Sequence, residues 1–536
     1  MSTLSTGSAV LTAIRNYGVD TVFGIPGTHN LEFYRSLKDL GMRVVTTRHE
    51  QGAGYGSDGW SLQTGLPGVV ITTSGPGLLN ALSAAATSFC ESRPMLIVAP
   101  GPQQGAEFAD KGTLHETKDQ FSAAAAIVET AVRATSAREA VEAVHEAFER
   151  FATARPRPTY IEVPLDVLEQ QVEADSLDLE ARTYRRPGCT DEALLEKARA
   201  ALRGASRPVI IAGGGSRGAA EELRELVDTL GAPIVTTLNA KGVVDEHHPL
   251  SMGANLRFTQ VREYARTADV LLVVGSKLGE AELWVERLEA TGTVVRIDLA
   301  EGQIDKNLTA DIGLVGDAKA TLRALLDGLE VAGPVADFRA DVASALEAAR
   351  AEGLETSRES TLIAEDIVAA LPREAIVSTD SSQICYLGLL NALKSPSANS
   401  TPYMATYATL GYGLPAALGA RIGAPDRPTF AVVGDGALMF SLQELITVVE
   451  QGEDLTVIVV DNGGYGEIRA NEISAGIDPV GVELTQPDWP LMAAASGGHG
   501  VAVDDLGQLK DAVANAVQAG GLQLIHIDAK RYITAG

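Results

Sequence analysis

The chain has 536 residues, too many for one core and enough for three or four domains at about 150 residues each. Apolar residues make up 45% and charged residues 21%, the proportions of an ordinary globular protein. The net charge of −27 argues against nucleic acid or an anionic membrane as the main partner. Cys90, Cys189 and Cys385 lie far apart and cannot all close into intrachain disulfides, so a reducing cytoplasm is expected. The N-terminal stretch has no basic segment leading into an unbroken apolar core, so no signal peptide is expected. No apolar run approaches the roughly 20 residues that span a bilayer.

In chain order, TVFGI (21–25) reads as a buried strand running into a Pro-Gly turn, and RVVTT (43–47) as a second strand. Residues 50–64 carry a helical pattern, VVITT (69–73) is a strand, 78–89 a small-residue helix, and MLIVA (95–99) a strand. Continuous apolar strands alternating with helices predict a parallel sheet covered on both faces. Prolines punctuate ARPRPTYIEVPLDV (154–167), and the acidic stretch 169–181 reads as a linker. A second block runs through PVIIA, VLLVVGS and TVVRIDL, and residues 331–360 read as a helical connector. A third holds AIVSTD, TFAVVGDG and TVIVVDN. The expected fold is α/β: three doubly wound parallel-sheet domains, at 1–170, 190–330 and 355–536.

The strongest chemical signal is in the third block. TFAVV runs into Gly434-Asp435-Gly436, and TVIVVD runs into Asn462-Gly463-Gly464-Tyr465-Gly466, with Asn462 27 positions after Asp435. Alone, each is a tight turn. Together they put a carboxylate, an amide oxygen and a backbone carbonyl at C-terminal strand ends, where open parallel sheets bind ligands. Those are donors for a hard divalent ion that also holds diphosphate oxygens. In the middle block Gly213-Gly214-Gly215-Ser216-Arg217-Gly218 matches GxGxxG, but no acidic residue ends the next strand, so NAD is not expected. His247 and His248 are adjacent and do not make a helical metal pair.

The GDG…N pattern resembles the thiamine-diphosphate motif of the thiamine-dependent enzymes. FGIPG (23–27), RHEQGA (48–53), SGPG (74–77) and TLGYGLPAALGA (409–420) are similar to the acetolactate synthase and 2-oxo acid decarboxylase branch. The resemblance spans essentially the whole chain and implies pyrimidine-binding, middle and diphosphate-binding domains. It implies Mg2+ held by Asp435, Asn462 and the Gly464 carbonyl. Gly434, Gly436, Ala437, Ser382, Gln383 and Tyr465 are implied around the diphosphate. Asp461 stands where the family usually has a first asparagine, which is not the expected ligand. Ala408 would accept from the cofactor amino group, and Leu410 would hold the bent cofactor. Glu50, otherwise a charge at a helix start, would bond the pyrimidine nitrogen and favour the imino tautomer that takes the thiazolium proton. Substrate-side candidates are Thr28, His29, His115, Gln120 and Glu467. Surface or second-layer positions remain alternatives for the histidines, and a pair with Arg469 for Glu467. His115 falls where acetolactate synthases carry glutamine. FAD in the middle domain is an option that the sequence does not support. A homodimer at minimum, and a tetramer, is implied.

The expected reaction is decarboxylation of a 2-oxo acid to an aldehyde and CO2. The alternatives are acetolactate-type carboligation and a non-catalytic relative, against which Glu50, Asp435 and Asn462 together argue. Within the branch RHEQGAGYGSDGW (48–60), LHETKDQ (114–120), ARPRPTYIEVPLDV (154–167) and NGGYGEIR (462–469) together most resemble the 5-guanidino-2-oxopentanoate decarboxylase group. Glu116, Asp119 and Glu467 are candidate partners for a guanidinium.

Overall fold

The computed structural model describes residues 3–331 and 333–535. They form two compact units: residues up to 185 with 414–426 and 441–455, and residues 186–413 with 427–440 and 456 onward. Residue 332, in the expected connector, lies outside the described residues; the connector's helix is Arg339–Thr356.

The first unit holds β1 (Thr3–Ser5), β2 (Thr21–Gly24), β3 (Arg43–Thr46), β4 (Gly68–Ile71), β5 (Met95–Gly101), β6 (Thr130–Arg133), β7 (Thr159–Pro164) and β8 (Gln171–Glu173). Six of them make a parallel sheet in the order β3-β2-β4-β5-β7-β6. Every residue of β2, β4, β5 and β7 is buried, as expected of strands covered on both faces. The segment read as a linker is not wholly one: β8 pairs antiparallel with β1, Thr3 opposite Glu173.

The helices start and stop by local chemistry. Glu50–Thr64 begins at His49, whose Nδ1 accepts from Gln51 N at 3.2 Å, and ends at Gly65 in the left-handed region. Pro76–Glu91 starts with proline in its first turn, where the missing N–H costs nothing.

The second unit holds β9 (Pro208–Ala212), β10 (Ile234–Thr236), β11 (Val270–Val274), β12 (Thr293–Asp298) and β13 (Ile312–Val315) in the parallel order β10-β9-β11-β12-β13. It also holds β14 (Ile376–Thr379), β15 (Thr429–Gly434), β16 (Leu455–Asp461), β17 (His499–Val503) and β18 (Leu522–Asp528), ordered β14-β15-β16-β18-β17. Its β14–β15, β15–β16 and β17–β18 pairs are parallel. The three main sheets are the α/β layers that the strand pattern predicts. No described helix is long and apolar enough to cross a membrane.

Candidate active site

In the first unit three adjacent strands, β3, β2 and β4, deliver their C-terminal ends side by side. Glu50 opens the helix after β3. It is buried, and its Oε2 accepts from Asn80 Nδ2 at 3.0 Å. Its segment is clamped by Glu444, a fully buried carboxylate that accepts from Arg48 N at 3.0 Å and His49 N at 3.1 Å. Burial pushes the Glu444 pKa up, against the pull of these donors. The Tyr34 hydroxyl is a buried group with no hydrogen-bond partner, and burial with the charge of Glu50 raises its pKa.

His29 follows β2 and His115 lies on the loop before the Gln120–Ala125 helix. The two rings meet edge to face, centroids 5.0 Å apart. His29 Nδ1 is 2.6 Å from Ser74 Oγ, and His115 Nδ1 is 3.4 Å from Thr73 Oγ1. Burial, with the neighbouring His115, lowers the His29 pKa. Thr28 is exposed on the same turn as His29. Gly75 has φ 63°, and a Cβ there would lie 2.4 Å from the His115 carbonyl oxygen, so only glycine suits this turn.

Both polar atoms of Gln120 are engaged within the protein. Its Oε1 accepts from Gly75 N at 2.8 Å, and its Nε2 donates to Pro100 O at 2.8 Å and Glu162 Oε2 at 2.7 Å. It holds the turn instead. Glu116 accepts from Lys111 N and Gly112 N, and Asp119 caps the Gln120–Ala125 helix through Ser122 N.

In the second unit the ends of β14, β15 and β16 are likewise adjacent. Ser382 Oγ accepts from Gly434 N at 3.0 Å. Gly436 and Ala437 lie in the first turn after β15, beside the Tyr465 ring. One end of the Asn462 amide lies 3.1 Å from Gln383 Oε1 and the other 3.3 Å from Asp435 Oδ1 and 3.0 Å from the Gly464 carbonyl oxygen; Nδ2 is assigned to the Gln383 end because Gln383 gives its own NH2 to Glu467. Turning the amide over would only set its oxygen against Gln383 Oε1 instead. Three acceptor oxygens so placed repel one another unless a cation lies among them, and a hard divalent ion suits this donor set. Burial first, then the charge of Asp461, raises the Asp435 pKa to about 6.

Glu467 does not pair with Arg469, which reaches Glu483 at 3.4 Å. Its Oε2 accepts from Gln383 Nε2 at 3.0 Å and Tyr386 OH at 3.1 Å. A cavity of about 450 Å3 adjoins it, walled by Glu282, Trp284 and Tyr386 and reaching Ser381 and Ala408. Ala408 has φ 52°, a conformation that costs a residue with a Cβ about 1 kcal/mol, and Leu410 is half-buried two residues on. This loop is tied down by Asp380, which sequence reasoning missed. It is fully buried, with Oδ2 accepting from Gly413 N at 2.7 Å and Oδ1 from Gly411 N at 3.2 Å. Burial raises its pKa to about 6 although these amides pull it down.

Comparison with known proteins completes the picture. Residues 4–123 match the model of the thiamine pyrophosphate enzyme N-terminal TPP binding domain, 195–325 that of the central domain, and 387–527 that of the C-terminal TPP binding domain. The chain belongs to the thiamine pyrophosphate enzyme family and uses thiamine diphosphate, as its motifs imply. It is 37% identical to the probable 2-ketoarginine decarboxylase AruI of Pseudomonas aeruginosa, over 98% of this chain and 94% of that one. It is 29% identical to the probable acetolactate synthase large subunit of Methanocaldococcus jannaschii, over 89% of this chain and 85% of that one. With the acetolactate synthase isozyme 2 large subunit of Escherichia coli it shares 27% over 97% of this chain and 94% of that one.

Proposed function

We propose that this enzyme decarboxylates 5-guanidino-2-oxopentanoate to 4-guanidinobutanal and CO2, with thiamine diphosphate and Mg2+. The observation that carries the cofactor reading is the convergence of the Asp435 carboxylate, the Asn462 amide and the Gly464 carbonyl at two adjacent strand ends. When bound, thiamine diphosphate supplies the electron sink that lets a 2-oxo acid lose CO2.

Asp435, Asn462 and the Gly464 carbonyl hold the metal. Gly434, Gly436, Ala437 and Tyr465 receive the diphosphate, with Ser382 and Gln383 beside them. The Ala408 carbonyl would accept from the cofactor amino group, and Leu410 would pack against the cofactor. Glu50 would be the carboxyl that bonds the cofactor ring nitrogen. Thr28, His29 and His115 would be the polar groups on the substrate side, and burial, which lowers the His29 pKa, favours its neutral form there. The domains fall at 1–170, 190–330 and 355–536, and the assembly is a homodimer or tetramer, as the family resemblance implies. Cys90, Cys189 and Cys385 form no disulfide, which accords with a cytoplasmic location.

Two lines support the guanidino acid. The cavity at Glu467 sets the Glu467 carboxylate and the Tyr386 ring, groups that hold a planar cation by charge and by stacking, beside Trp284, whose face Arg257 already covers at 4.4 Å. The AruI relative is named for the same 2-oxo acid. The test is CO2 release from 5-guanidino-2-oxopentanoate and from pyruvate in parallel, with products identified by mass. Fast release with aldehyde product is expected from the guanidino acid. Acetolactate from pyruvate, with the guanidino acid inert, would move the enzyme to carboligation. Glu50→Gln is expected to lower kcat by about 10^2–10^4, and full turnover by that variant would overturn the proton-sharing role.

A further inference from the structure

The Asn462 amide is oriented from outside the oxygen cluster. We propose that Glu467 is a positioning residue for Asn462, acting through Gln383. The role rests on the metal reading above.

A carboxylate offers only acceptors. Gln383 must therefore present its NH2 to Glu467 Oε2, 3.0 Å away. That leaves Gln383 Oε1 facing Asn462, where it accepts from Nδ2 at 3.1 Å. The Asn462 Oδ1 is then turned toward Asp435 and the Gly464 carbonyl. With a cation among the Asp435, Asn462 and Gly464 oxygens, reversing either amide would set two oxygens against each other at the Gln383 end with nothing between them, so the carboxylate at one end of the chain sets the lone pairs at the other. Tyr386 pins the origin: its hydroxyl donates to the same Glu467 oxygen at 3.1 Å, and burial with the Glu467 charge raises its pKa, keeping it a donor. Gly466 leaves room for the middle link. A Cβ there would lie 2.4 Å from Gln383 Oε1 and 2.7 Å from Asn462 Nδ2. Partners that orient metal ligands in this way contribute about 10–100-fold to metal affinity.

The experiment titrates Mg2+ into the full chain with thiamine diphosphate in excess, following the fluorescence of Trp489. Its indole N–H donates to Asp461 Oδ2 at 3.3 Å, next to Asn462. Glu467→Leu should weaken Mg2+ at least about tenfold. Glu467→Gln keeps an oxygen for Gln383 and should stay within about threefold of wild type, because orientation and not charge is at stake. Gly466→Ala should resemble Glu467→Leu. The double variant Gln383→Leu/Glu467→Leu should be no weaker than the worse single one, as links of one chain do not add. Wild-type affinity in Glu467→Leu, or an equal loss in Glu467→Gln, would overturn the proposal. Asp435→Ala separates the two layers: if it bound Mg2+ undiminished, the metal reading itself would fall. If it lost binding while Glu467→Leu did not, only the positioning role would fall.

Discussion

Two glycine turns of the second unit end central parallel strands, and they are used in opposite ways. At the end of β9 the glycines close the structure. A Cβ on Gly213 would lie 2.3 Å from the Gly275 carbonyl oxygen, and one on Gly215 would lie 3.0 Å from Gly275 Cα, so two backbones pass where side chains would be. At the end of β15 the space beside Gly434 and Gly436 is bounded by movable side chains, Ser382 and Tyr465, and a carboxylate follows at once. The same composition packs one loop shut and leaves the other with a carboxylate, an amide and a carbonyl converging beside it. A glycine-rich strand end is thus a permission for close approach, and the neighbouring polar atoms decide what approaches.

The sharpest way to break this contrast is Asp435→Ala. Cofactor and Mg2+ affinity should fall on the order of 100-fold or more, since a direct ligand contributes at least as much as its outer partners. Calorimetry that found binding unchanged would make the two turns equivalent.

Asp380 sharpens the contrast through pH. Its native pKa of about 6 stands above the ordinary value of 3.8. Between those values the native state binds the extra proton, so this group's contribution to stability is full below about pH 4 and is lost as pH rises through 6. The loss is on the order of 3 kcal/mol. Asp380→Asn should flatten that part of the stability–pH curve measured by urea unfolding, and an unchanged slope would remove Asp380 as its source.

Gly213→Val tests the closed turn. It should cost about 1–3 kcal/mol by overpacking, read as a lower Tm, while Mg2+ affinity of the folded protein stays put. FAD or NAD should leave the wild-type Tm where it is; a rise would show that the β9 turn takes a nucleotide after all. The smallest effect belongs to Asp461→Asn. Removing a charge near the cation should weaken Mg2+ by about threefold, in line with a partly screened ion pair.

What the sequence disclosed, and what it hid, follows the range of the interactions. Apolar runs ending in Gly, Asp or Asn placed β4, β5, β9, β11, β15 and β16 within a few residues, because full burial on both faces writes itself into consecutive positions. The family of motifs was legible for the same reason: each lies within one strand end. Glu444 and Asp380 were not legible, since their partners are backbone amides 396 and 33 positions away and leave no side-chain pattern. Gln120 read as a substrate contact because it lies near His115, but its amide was already committed to Gly75, Pro100 and Glu162. The 169–181 stretch looked like a linker because the strand β8 finds is at the other end of its unit.

The make-up of the first unit bears on how the protein is born. Its Glu50 helix packs against later chain: a Cβ on Gly59 would lie 2.0 Å from the Ala416 carbonyl oxygen, and one on Gly52 would lie 2.7 Å from Glu444 Oε1. A nascent chain emerging at about 5–20 residues per second therefore waits tens of seconds for the segment that seals its first sheet. Until then the helix meant to lie under residues 414–426 is bare, and the ribosome holds a domain whose last piece has not been made.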